Sequence, residues 1–128
     1  MKNLLFVLFA TPFLAFVQPD MGMSTITDAI KNGDVETLSK YFDEDVEVAV
    51  LDDEDVYDKA SAKQKVKGFF DKYQPKSFNQ VHQGTSKGKD SQYLIGNLNA
   101  GGDTFRVYLY MNVTGGSYLI QEIRFDKE

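Results

Sequence analysis

His82 is the sole histidine of the chain, and an imidazole can serve as general acid or base near neutral pH. That chemistry needs an orienting carboxylate, and the flanking Gln80, Val81 and Gln83 supply none. The expected role of His82 is therefore a surface or hydrogen-bonded strand residue, with catalysis as the weaker reading. The acidic run 52–58 invites a cation, because hard ions collect carboxylate oxygens. A calcium loop begun at Asp53 needs glycine where Asp58 stands and glutamate where Gln64 stands, so a solvated turn is expected and no metal site. The remaining feature is a set of amphipathic side chains on strand-like segments: Tyr93, Tyr108, Tyr110 and Tyr118, interleaved with Arg106 and Arg124. Tyrosine and arginine are enriched at protein interfaces, where an apolar body and a polar tip both find partners.

Positioning such residues falls to the elements around them. Ser24 can cap a helix that buries Ile26, Ala29 and Ile30 and stops at Gly33. Asp34 then caps a second helix, whose stripe of Val35, Leu38 and Phe42 carries it to about Asp43. From Asp45 the period changes to two: Val46, Val48 and Val50 share one face of a strand and Glu47, Ala49 and Leu51 the other. After the acidic turn, Val56 and Tyr57 form a short return strand. Ser61 with Gln64 makes a capping box for a third helix, with Ala62, Val66, Phe69, Phe70 and Tyr73 on one side, ended by Pro75. Four strands follow, separated by turn-forming groups at 87–90, 99–103 and 115–116. In one of them Phe105, Val107, Leu109, Met111 and Val113 alternate with Arg106, Tyr108, Tyr110 and Asn112. Strict alternation places Tyr118, Ile120, Glu122, Arg124 and Asp126 together on the outer face of the last strand.

With 128 residues there is room for one domain, expected over 24–128. The first 19 residues, a charged start at Lys2 and an apolar run from Leu4 to Val17, fit a signal peptide and are too short to span a bilayer. An exported product is expected, periplasmic or secreted and soluble. Having no cysteine, it lacks both disulfides and a site for lipid attachment. The net charge of −5 argues against nucleic acid as a partner.

The order helix, helix, strand, helix and four strands, with the run Gly33-Asp34-Val35-Glu36-Thr37-Leu38-Ser39-Lys40-Tyr41-Phe42 before a valine-rich strand, resembles the nuclear transport factor 2-like superfamily. More narrowly it resembles an exported bacterial family of unknown function, DUF4783. The resemblance implies an α+β cone in which three N-terminal helices pack on a curved, mainly antiparallel sheet, with a pocket inside and an outer face that often dimerises. Isomerase members use a tyrosine and paired acids in the pocket; Tyr41, Tyr57 and Tyr73 are present here, but no strand aspartate faces the interior. The segment Gln80-Val81-His82-Gln83-Gly84 resembles the inhibitory loop of cystatins with its valine one place early, which turns that side chain to the opposite face. The reading adopted is a non-enzymatic binding or interaction domain, a homodimer through the outer face, with no cofactor. The alternatives are an isomerase, dehydratase or hydrolase in the cone pocket, or a pocket that holds a small apolar ligand without chemistry.

Overall fold

The computed structural model describes residues 21–85 and 90–128; the signal segment expected at 1–19 lies outside them. Helix α1 (Met21–Asn32) begins a turn before Ser24. It ends as expected at Gly33, whose φ of +66° suits a residue without Cβ, with Gly33 N–H donating to Ile30 and Asp34 N–H to Ala29. Asp34 caps α2 (Val35–Ser39) through a 3.1 Å bond from the Thr37 N–H. The Thr37 hydroxyl, donating to the other carboxylate oxygen at 2.7 Å, and then this backbone bond favour the carboxylate and lower the Asp34 pKa.

Helix α2 is shorter than its apolar stripe suggests, because Phe42 already begins β1 (Phe42–Val50) and is buried there. The acidic run is strand, not turn: β2 (Asp53–Asp58) pairs antiparallel with β1, and the chain reverses at Leu51 and Asp52, with Leu51 at φ 57°. Asp58, three residues before the expected cap, starts α3 (Lys59–Lys72) by accepting from the Ser61 N–H at 2.8 Å. Lys65 reaches across to Asp53 as an ion pair.

Strands β3 (Pro75–Thr85), β4 (Ser91–Ala100), β5 (Asp103–Thr114) and β6 (Ser117–Lys127) complete one six-stranded sheet in the order β2-β1-β6-β5-β4-β3. All neighbours are antiparallel except β1 with β6. The register slips once in β1, twice in β3, at Lys76 and at Val81, and once at Gln121 in β6, and extra residues of this kind bend a strand and increase its twist.

The helices pack on the concave face of the open sheet. Leu94, Leu98, Phe105, Val107, Leu109, Ile123 and Phe125 are buried there beneath Ile26, Ile30, Val66 and Phe69. Phe69 stacks on Phe125 at 4.1 Å between ring centroids and meets Phe105 edge-on at 5.0 Å, so aromatic rings fill the middle of the cone. Among the described residues no helix is long and apolar enough to cross a membrane.

Candidate functional site

Strand register arranges the convex face into two lateral rows. The first runs Val56, Glu47, Glu122, Tyr110, Tyr93 and Gly84 from β2 to β3. The second runs Glu54, Ala49, Arg124, Tyr108, Ile95 and His82. Three strands thus carry the carboxylates and three carry the rings. The rows enclose a depression of about 200 Å³ lined by Tyr93, Ile95, Tyr108, Tyr110, Glu122 and Arg124. Tyr93 and Tyr110 are 37 % and 41 % exposed and directly opposite one another, and Val56, at 61 %, stands at the far edge.

Local bonds hold the aromatic half in place. The Tyr93 hydroxyl lies 2.9 Å from His82 Nε2, and its ring occupies the space a side chain at Gly84 would need. Tyr110 donates to the Ser91 hydroxyl at 3.0 Å. Arg106 turns away from both rows, donating to Asn97 and pairing with Glu128 at 3.1 Å.

The acidic half is organised around one cation. Arg124 reaches Glu54 at 3.3 Å, Glu122 at 3.6 Å and Asp126 at 3.9 Å. Partial burial works against the charged guanidinium, but Asp126, Glu54 and Glu122 outweigh it and hold its pKa above the ordinary value. For Glu47 the nearby Arg124 gives only partial relief. A hydrogen bond shared with Glu54, then burial and the nearby Glu122, raise its pKa above that of an ordinary glutamate.

Of the residues singled out by sequence, Tyr93, Arg106, Tyr108, Tyr110 and Arg124 do lie on this face, together with His82. Tyr118 does not. It is 8 % exposed, belongs to the core and packs against Gly22 of α1, and Ile120 is fully buried beside it. The cause is the bulge: Tyr110 opposes Glu122 while Met111 opposes Ile120, so Gln121 has no partner and the face of every earlier residue in β6 is reversed. Sequence reasoning missed Glu47, Glu54 and Ile95 as members of the site. Joining Glu47 and Glu54 to it needs the parallel pairing of β1 with β6, and Ile95 needs the register of β4 with β5.

The surface holds little that points to a reaction. His82, the candidate acid or base, is exposed on the convex side and its bonded neighbour is a tyrosine. Among the described residues no cluster of His, Asp or Glu could hold a metal ion. A wider cleft of about 500 Å³ between α2 and α3 is lined by Lys40, Lys59 and Lys63, and Lys63 is tied to Glu36 at 2.8 Å.

Three helices laid on an open, bent sheet define the nuclear transport factor 2-like fold. An NTF2-like protein from Cytophaga hutchinsonii shares it, with a TM-score of 0.61 at 15% identity over 83% of this chain and 92% of that one. The chain belongs to the DUF4783 family, described as a domain of unknown function, which matches residues 23–126. A family protein from Bacteroides uniformis is 30% identical, with a TM-score of 0.76 over 82% of this chain and 95% of that one. Another from Bacteroides ovatus is 31% identical, with a TM-score of 0.76 over 82% and 94%. Among curated proteins, none matches.

Proposed function

We propose that this chain is an exported, non-enzymatic interaction domain whose partner is a second copy of itself, held through the convex face of the sheet. The observation that carries the reading is the cross-strand pair Tyr93 and Tyr110, exposed together at the centre of the aromatic half. Two tyrosines so placed offer a large rigid contact area that loses little side-chain entropy on binding. The position of His82 adds support. Its ring is engaged by Tyr93 on the convex side, while the concave side is filled with apolar side chains.

Export rests on the apolar segment before residue 20, and the absence of cysteine supports a product without lipid attachment. Recovery of a product lacking residues 1–19 outside the cytoplasm supports it, and a full-length cytoplasmic product contradicts it.

Light scattering at micromolar concentration tests the pairing. The chain is expected at twice its monomer mass, and Tyr108→Glu with Tyr110→Glu, which sets carboxylates among the rings, is expected at the monomer mass. A monomer unchanged by the substitutions contradicts the reading.

A further inference from the structure

The convex face is divided at its midline, and the division has consequences for how two copies can meet. In the strand order β2-β1-β6-β5-β4-β3, the boundary between the acidic and aromatic halves is the boundary between the third and fourth of six strands. Two identical faces related by a two-fold axis in the interface meet in a way set by the direction of that axis. An axis across the strands lays each half on its own copy, so that the acidic half, with Glu47, Glu54 and Glu122 around the single cation Arg124, lies on a second half of the same net negative charge. An axis along the strands lays the acidic half on the aromatic half and keeps each lateral row over itself.

We propose, resting on the self-pairing above, that the two copies join about an axis parallel to the strands at the β5–β6 boundary. β6 then lies over β5 of the second copy, β1 over β4 and β2 over β3.

Most positions in the two rows meet suitable chemistry in this arrangement. Glu47 faces Tyr93, whose hydroxyl can donate to a carboxylate while accepting from His82, and Glu122 faces the ring of Tyr110, whose hydroxyl donates to Ser91. Arg124 faces the ring of Tyr108, a stacking partner for a guanidinium. Glu54 faces His82, while Ala49 is fully buried within its own chain and contributes no contact. Val56, the most exposed large apolar residue of the face, stands over Gly84, where the absence of a side chain leaves the Tyr93 ring to receive it. Crossing the rows the other way loses these pairings and sets two halves of net negative charge together, a cost that disfavours the wrong partner orientation.

The chain has no cysteine, so introduced thiols report without background. Val56→Cys and His82→Cys are made separately, each checked by sedimentation for the wild-type dimer, then treated with a short bismaleimide alone and as an equimolar mixture. The mixture is expected to cross-link several-fold more than either variant alone, with the linked peptides joining positions 56 and 82. Cross-linking of each variant to itself overturns the axis along the strands, as does a dimer that no combination cross-links. A wild-type monomer in sedimentation instead removes the pairing itself. Glu47→Cys with Ile95→Cys, which leaves Tyr93, Tyr110 and His82 in place, reads the same register should either first variant weaken the dimer.

Discussion

The hydroxyl of Tyr93 lies 2.9 Å from Nε2 of His82, and the Tyr93 ring lies over Gly84. The two contacts define one unit: a glycine in β3 opens the space, a tyrosine from β4 fills it, and a histidine two residues along β3 fixes its tip. Glycine in a strand commonly marks such a close approach.

Gly84→Ala therefore acts on the face rather than on the fold. A Cβ at this position meets the outer end of the Tyr93 ring, which can swing away without moving the backbone. Thermal unfolding should change little, while pairing weakens by roughly fivefold to tenfold, the scale of one hydrogen bond with part of a ring contact. Sedimentation equilibrium of the variant measures it, and unchanged affinity separates Tyr93 from the interface.

Phe69→Ala acts on the fold. Its ring stacks on Phe125, meets Phe105 edge-on and lies 5.2 Å from Tyr73, so truncation opens a space between α3, β5 and β6 that they cannot close together. A loss of about 3–5 kcal/mol is expected in urea denaturation. In a domain with no disulfide, that is enough to leave much of the variant unfolded at moderate temperature. A loss below about 1 kcal/mol indicates a loosely filled cone.

Glu47 gives the face a pH dependence of defined sign. Its hydrogen bond with Glu54, burial and Glu122 place its folded pKa above 4.5, so between that value and the folded pKa the native state holds more protons than the unfolded chain. Stability contributed by this group falls as pH rises through that window. Above it the ionised pair opposes folding. Glu47→Gln should gain stability relative to wild type at neutral pH, with the difference vanishing toward pH 4.5 in urea titrations. An equal difference at both ends of the range contradicts this origin.

How much was legible before the structure depended on whether the signal was periodic. Val66, Phe69 and Phe70 declared their helix by spacing alone, and Phe105 to Met111 declared their strand by alternation; both readings match the fold. Phe42 was ambiguous because one apolar residue fits either period, and its burial beside β6 decided for strand. Val56 and Tyr57 show as a return strand in the sequence, but the charge of Asp53, Glu54 and Asp55 points to a turn; pairing with β1 holds all of Asp53–Asp58 extended, with the carboxylates at a sheet edge where water reaches them. Tyr118 failed for a different reason. A single unpaired residue, Gln121, reverses parity, and no local pattern records which strand will carry the extra residue. The two lateral rows were equally hidden, since they combine residues from six strands whose relative registers are tertiary facts.

The most direct measurement is an isotope-filtered nuclear Overhauser experiment on an equimolar mixture of labelled and unlabelled chains. Pairing through the convex face predicts transfer between copies from the ring protons of Tyr93, Tyr108 and Tyr110 to side chains of β1, β2 and β6. A sample that sediments as a dimer but shows no transfer between copies from any of these rings contradicts it.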